Sequence, residues 1–285
     1  MSRIAYVNGR YVPHFAASVH IEDRGYQFSD GVYEVIAIHK GKLIDMDGHM
    51  VRLTRSLEEL EIAWPVNPKT MDLIIRETIR RNRIRDGIVY MQITRGVAPR
   101  NHAFPDHHNS AFVVTAKRFP LFDFDAANKG VNVITTPEIR WQRRDIKTIS
   151  LLGNCLAKEK ATRAGCYEAW FVEDDGMITE GTSSNSWIVT AKGELVTRDV
   201  SSSILNGITR LSIMKVAKEN GIKFSERAFS EEEAKSAKEA FISSTTSFVK
   251  PVLNIDDAPV GDGKVGPLST KLLSYYGDYI KAQSA

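Results

Sequence analysis

Apolar and polar positions alternate at the start of this chain, change to a helical spacing, and then alternate again. Ile4 to Val7 and the pair Tyr11-Val12 flank Asn8-Gly9, a dipeptide that supplies the positive φ angles of a tight hairpin turn. GVYEVIAIHKGKLI, residues 31–44, predicts another strand, with Gly41 at its turn. From Met46 the apolar positions Met50, Leu53, Leu57 and Leu60 recur at helical intervals. Met71, Ile74, Ile75, Thr78 and Ile79 predict a second helix. GIVYMQIT, 87–94, returns to alternation, and SAFVVTAKRF, 110–119, predicts a further strand that stops at Pro120.

Beyond a looser stretch, VNVITT predicts a strand, and LAKEKATRA a helix closing at Gly165, a suitable left-handed C-cap. YEAWFVEDDGMITEG reads as a hairpin turning at Asp175-Gly176, and NSWIVTAKGELVT as one turning at Lys192-Gly193. A helix opens at GITRLSIMKVAKEN and stops at Gly221, and Ser230 with Glu233 predicts a capping box for the next. Strands arriving in hairpins, with helices between the groups, argue for an α+β fold over a doubly wound parallel sheet. The expected division is a small domain over 1–118, a linker at 119–122 and a larger domain over 123–285.

Composition narrows the function classes. The 285 residues carry a formal net charge of +3, too mild for the clustered basic face of a nucleic-acid binder. The N-terminal residues lack an apolar signal core and no run reaches the length of a membrane span, so the expectation is a soluble, cytoplasmic protein. Cys155 and Cys166 are too few for a disulfide framework and are expected to be buried free thiols, one within a helix and one just after it.

Four features carry candidate chemistry. Lys147, in DIKTISLL, is flanked by alternating apolar residues. Enclosing such a lysine disfavours its charged form and readies the amine for nucleophilic or Schiff-base work, although a lysine snorkelling from a strand edge gives the same pattern. In SILNGITRLSIM, Gly207 permits close approach and the N–H groups of Ile208 and Thr209 open a helix, an arrangement suited to phosphate or to ordinary capping. Ser243, Ser244, Thr245, Thr246 and Ser247 form a hydroxyl cluster that suits phosphate or a plain turn. Glu180 leads the polar turn TEGTSSN, as a structural carboxylate or as the partner of a protonated ring nitrogen. An amine, a phosphate cradle and a lone carboxylate are together what pyridoxal phosphate asks of a protein. A metal site at His102, His107 and His108 is not expected, because adjacent histidines in an extended loop point apart and no second ligand cluster accompanies them.

At these residues the sequence resembles the fold type IV pyridoxal-phosphate aminotransferases, and among them the D-amino acid aminotransferases. The resemblance runs through EDRGYQFSDGVYE (22–34), HMVRL (49–53), RGVAPRNHAFP (95–105), IRWQRRDIKTISLLGN (139–154) and GCYEA (165–169). It continues in TEGTSSN (179–185), LNGITR (205–210) and STTS (244–247), nearly the whole chain in order. It implies a two-domain fold with an α/β sandwich in the smaller N-terminal domain and a pseudo-barrel in the larger C-terminal one. It implies that Lys147 is the catalytic lysine joined to the cofactor, that Glu180 pairs with the pyridine nitrogen, and that Leu205 packs on the ring. Arg52, Ile208, Thr209 and Thr245 are implied to hold the phosphate, with Arg140 nearby. Arg100 and His102 with Tyr33 are implied to trap the substrate carboxylate, and Ser183 and Thr246 to face the substrate. Arg95 is expected to support the loop. In the resembled enzymes Arg100 and His102 reach the neighbouring subunit's site, which implies a homodimer. Close relatives often carry glycine where Ser29 stands.

The implied reaction moves an amino group between D-amino acids and 2-oxo acids by ping-pong exchange, through pyridoxamine phosphate. Branched-chain L-aminotransferases, (R)-amine transaminases and aminodeoxychorismate lyases share the fold, and the Arg100-x-His102 pair separates this chain from them. A non-catalytic phosphate-binding module is the alternative of another class.

Overall fold

The computed structural model describes residues 3–120 and 123–284. The chain divides into two compact units, the first formed by Met1–Leu121 with Ile146–Ser150 and Ser284, the second by Phe122–Asp145 and Leu151–Gln283 with Ala285. Of the expected linker, residues 121 and 122 lie outside the described residues.

In the first unit β1 (Ile4–Val7) and β2 (Arg10–Pro13) form the predicted hairpin, with Asn8 at φ 44° and Gly9 at φ 90°. A short helix that the periodicity did not predict, α1 (Arg24–Phe28), is capped by Asp23, whose carboxylate accepts from the Gly25 N–H. It ends at Ser29 with φ 57°, a left-handed conformation that glycine adopts without steric cost and serine does not. β3 (Gly31–His39) and β4 (Lys42–Leu43) turn through Lys40 and Gly41, followed by α2 (Met46–Glu59), α3 (Pro68–Asn82), β5 (Gly87–Thr94) and β6 (Ala111–Arg118). All pairings are antiparallel, in the order β2-β1-β6-β5-β3-β4.

The two helices lay Leu53, Leu57, Met71, Ile75 and Ile79 on a sheet face that presents Val32, Ile36, Val89 and Val114. Each such buried side chain contributes about 1.5–3 kcal/mol. Met50 and Leu60 pack at the border of the same core, as their spacing predicts.

Ile146–Ser150, which the sequence reading assigned to the C-terminal domain, groups with the first unit. The reason is backbone pairing along β3: Tyr33 N–H donates to Lys147 O (3.0 Å), Ile149 N–H to Gly31 O (3.1 Å), and Val32 bridges Thr148. Ile146 enters the core under the sheet.

The second unit runs α4 (Phe124–Ala127), β7 (Val131–Pro137), α5 (Leu152–Arg163), β8 (Glu168–Val172), β9 (Ile178–Gly181), β10 (Asn185–Val189) and β11 (Leu195–Thr197). It continues with α6 (Ile208–Glu219), β12 (Phe224–Glu226), α7 (Glu231–Lys235), β13 (Glu239–Ser244), β14 (Phe248–Ile255), β15 (Ala258–Pro259) and α8 (Pro267–Gln283). Its strands order as β12-β11-β10-β13-β14-β7-β8-β9, with parallel pairs at β11–β12, β14–β7 and β7–β8. This sheet curls as a half-barrel: β9 ends the path, yet a short turn carries it directly into β10, with Gly181 N–H donating to Ser184 O (2.8 Å). Trp170, Ile178, Ile188, Phe229, Ile242 and Val252 fill its core.

Two local expectations change. Ser230 caps α7 by accepting from Glu233 N–H (3.1 Å), but the Glu233 carboxylate turns to Arg227, so only half of the capping box forms. Both cysteines are free, but they are not buried: Cys155 is exposed and Cys166 half-exposed. The cause is the geometry of α5, which buries only Ala157 and Ala161 and turns Leu152, Cys155 and Leu156 outward.

Candidate active site

In the first unit, alternation along β3 turns Tyr33 and Glu34 to opposite faces. The half-buried Lys147 places Nζ 4.2 Å from the centre of the Tyr33 ring, whose other neighbour is Tyr90, stacked at 5.6 Å. Burial and the neighbouring Tyr33 push the Tyr90 phenol up to about 12, so it stays protonated and donates to Gln92 Oε1 (2.7 Å). An amine facing an aromatic ring on a strand's open side is a place where a carbonyl carbon can be attacked.

Glu34 is completely buried and faces α2. Arg52 grips it as a fork, Nε to Oε1 and Nη2 to Oε2, both at 2.7 Å, and His49 Nδ1 meets Oε2 at 2.7 Å. Burial raises a carboxyl, but Arg52 and His49 outweigh it and hold Glu34 at about 2. His49 and Arg52 are three apart on one helix face, which lets both reach the same carboxylate.

The loop after β5 hangs from two buried arginines. Arg95, 1% exposed, donates to both Asp30 oxygens (2.8 and 3.1 Å) and to the carbonyls of Leu60 and Glu61, with its guanidinium 3.5 Å from the Phe104 ring centre. Its expected supporting position is therefore what the structure has. Arg24 holds Asp30 (2.7 Å) and donates to the carbonyl of Asn101 (2.6 Å). Gly96, at φ 91°, sits where a Cβ would meet Asn109 O at 2.0 Å, so the loop closes on itself there. Arg100 and His102 are exposed, and both lie against Phe28, at 4.7 and 5.4 Å from its ring centre. His108 instead meets the Ala63 N–H (3.3 Å).

In the second unit Glu180 is 5% exposed at the end of β9. Arg140 Nη1 reaches Oε1 (2.6 Å), while Oε2 accepts from the Leu205 N–H (3.0 Å) and Asn185 Nδ2 (3.1 Å). Burial pushes this carboxyl above its usual value, and Arg140 and the Leu205 N–H pull against it. Arg140 also binds Glu138, which it and Arg144 hold at about 2 against the cost of burial.

Leu205 is thereby pinned at both ends, since Asn185 Nδ2 also donates to its carbonyl (2.8 Å). Two residues on, Gly207 starts α6 with no side-chain cap, and a Cβ there would meet Asn185 Oδ1 at 2.1 Å. The N–H groups of Ile208 and Thr209 donate to no described residue, although both residues are buried. Thr245 and Thr246 lie in the turn joining β13 to β14, with Ser244 Oγ 3.4 Å from Thr246 Oγ1. Ser183, implied to face the substrate, donates with Thr182 and Ser184 to the buried Glu168.

Sequence reasoning passed over Glu34, His49, Glu168 and Asn185 as individual residues. Glu34 was the most legible, as a charge at an inward position of an apolar alternating strand. Glu168 is a charge at the head of the continuously buried apolar strand β8, while the contacts of Asn185 become visible only once the chain has folded.

A class IV aminotransferase family profile matches residues 31–255. The chain belongs to the class IV aminotransferases. It is 39% identical over 281 residues to a D-alanine aminotransferase of Staphylococcus haemolyticus, covering 98% of this chain and 99% of that one. It is 40% identical over 279 residues to one from Bacillus licheniformis, covering 98% and 97%. Among solved structures, the branched-chain amino acid aminotransferase of Escherichia coli superposes with a TM-score of 0.91 at 23% identity, covering 100% of this chain and 97% of that one. The branched-chain aminotransferase of Thermoproteus uzoniensis, solved with norvaline, does so with a TM-score of 0.86 at 24% identity, covering 99% and 96%. These likenesses establish the fold type IV architecture, the α+β fold expected from the sequence.

Class IV aminotransferases work with pyridoxal phosphate, and the residues present fit it. The uncapped start of α6 offers amide donors to a dianion, and Gly207 leaves no side chain in the way. Glu180 is fixed by three donors in a dry setting suited to one ring nitrogen. Among the described residues no helix is long and apolar enough to cross a membrane.

Proposed function

We propose that this class IV aminotransferase exchanges amino groups between D-amino acids and 2-oxo acids, with D-alanine and 2-oxoglutarate giving pyruvate and D-glutamate. The observation that carries the reading is the pairing of Arg100 with His102 on Phe28, two exposed donors on a loop fastened by Arg95 and Arg24. A guanidinium fork beside an imidazole suits a carboxylate. Support comes from relatives named D-alanine aminotransferase that align with nearly the whole chain.

Bound pyridoxal phosphate supplies an electron sink that acidifies the hydrogen on the substrate's Cα. Lys147 would supply the amine that holds the cofactor and the base that carries the Cα proton. Glu180 keeps the ring nitrogen protonated, and Leu205 packs against the ring. The N–H groups of Ile208 and Thr209, the hydroxyls of Thr209 and Thr245, and Arg52 hold the phosphate. Tyr33 joins Arg100 and His102 in gripping the α-carboxylate, the latter two serving the site of a second copy, so the working enzyme is a homodimer, and we place it in the cytoplasm. Thr246 and Ser183 border the substrate, Ser183 through the turn that Glu168 orders.

The test is a half-reaction. Purified enzyme, expected to be yellow, is mixed separately with D-alanine, D-glutamate, L-alanine and an (R)-amine, and the loss of colour is followed. D-alanine and D-glutamate should bleach it while L-alanine does not, and Lys147→Ala should show no turnover without added amine. Bleaching by L-alanine alone, or a protein that takes up no pyridoxal phosphate, would overturn the reading.

A further inference from the structure

Glu34 and His49 have no role in the chemistry described so far, yet both are buried against Arg52. Glu34 has no exposed surface, His49 is 2% exposed, and the Arg52 side chain is 10% exposed. Buried ion pairs of this kind seldom stabilise a fold more than apolar residues of the same volume would, because removing two charges from water offsets most of their mutual attraction. Their advantage is direction. A bidentate carboxylate fixes the plane of a guanidinium and the rotamers behind it, so the side chain is already ordered before a ligand arrives.

We infer that Glu34, steadied by His49, is a positioning residue that fixes the Arg52 guanidinium for the cofactor's phosphate. The inference rests on the proposed role of Arg52. Glu34 takes Nε and Nη2, the two nitrogens along one edge of the guanidinium, and so turns Nη1 to the edge facing away from that carboxylate. His49 meets the Oε2 that also accepts from Arg52 Nη2, which stops the carboxylate from rotating about its own axis. Both holders sit on rigid elements, Glu34 mid-strand in β3 and His49 one turn before Arg52 in α2. Glu34 also follows Tyr33 directly, so one strand sets both the tyrosine beside Lys147 and the carboxylate behind Arg52.

The experiment separates phosphate affinity from everything else in the site. Full-length protein stripped of cofactor is titrated with pyridoxal phosphate and, separately, with pyridoxal, which lacks the phosphate. The proteins compared are wild type, Glu34→Gln, Arg52→Gln and the double variant. Glu34→Gln should weaken pyridoxal phosphate by about tenfold or more and leave pyridoxal within about twofold. In the Arg52→Gln background the same change should add little, because a residue acting through another is strongly non-additive with it. Equal loss for both ligands, or full additivity, would overturn the positioning role. If Arg52→Gln itself leaves the ratio of the two affinities unchanged, the phosphate role of Arg52 fails, and the inference with it. Should Glu34→Gln not fold, His49→Gln takes its place under the same criteria, and the neutralised double variant keeps the cycle readable.

Discussion

Glu180 carries three hydrogen bonds on two oxygens in a site with almost no solvent, and the charge on that carboxylate is its one replaceable property. Glutamine is nearly isosteric and keeps an acceptor for the Leu205 N–H, but it cannot balance a protonated ring nitrogen. Arg140 would remain paired with Glu138, so the fold does not depend on the change. Glu180→Gln is expected to melt within a few degrees of wild type and to slow the D-alanine half-reaction by about tenfold or more, roughly 1.4 kcal/mol of barrier. Single-turnover absorbance measures it, and an unchanged rate would remove Glu180 from the ring nitrogen. Arg95 and Arg100 show how differently two arginines of one loop can be used. The first is spent on Asp30 and two carbonyls, while the second is left on the surface against Phe28.

The start of α6 is the element on which the proposed phosphate cradle depends. Gly207 is needed there because of its neighbour and not because of its own backbone angle: φ is −66°, open to any residue. Asn185 blocks a side chain, and it cannot step aside, since its amide donates to both Glu180 and the Leu205 carbonyl. Gly207→Ala should therefore displace Asn185, cost about 1–3 kcal/mol in thermal or denaturant unfolding, and weaken pyridoxal phosphate binding. A variant that binds the cofactor as tightly as wild type would show that the cradle tolerates the shift. Ser29 at the end of α1 is the converse case, a left-handed position where the backbone itself favours glycine.

On the scale of the whole molecule, each unit carries a buried carboxylate held far below its ordinary value of 4.5, Glu34 in the first and Glu138 in the second, both at about 2. A lowered folded-state value means stability that is fully present above about pH 4.5 and lost as the pH falls through 2. Thermal midpoints should fall steeply across that window. Glu138→Gln should lower the midpoint at neutral pH and flatten the acid limb, whereas a limb of unchanged slope would mean that other groups titrate there.

Much of this architecture was legible in the chain. The hairpin turns at Asn8-Gly9, Gly41, Asp175-Gly176 and Lys192-Gly193, and the helices over Met46–Glu59, Pro68–Asn82 and Ile208–Glu219, follow from local periodicity and turn chemistry, which need no distant partner. The motifs around Lys147, Glu180 and Arg100 marked the family by resemblance. Only the tertiary structure decided that Ile146–Ser150 pairs with β3, that α5 exposes Cys155, that Ser183 serves Glu168, and that Arg52 is clasped by Glu34 and His49. Each of these depends on which side chains burial brings within hydrogen-bonding distance. Sequence spacing does not encode that for residues 15 or 18 positions apart, and still less for Tyr33 and Lys147.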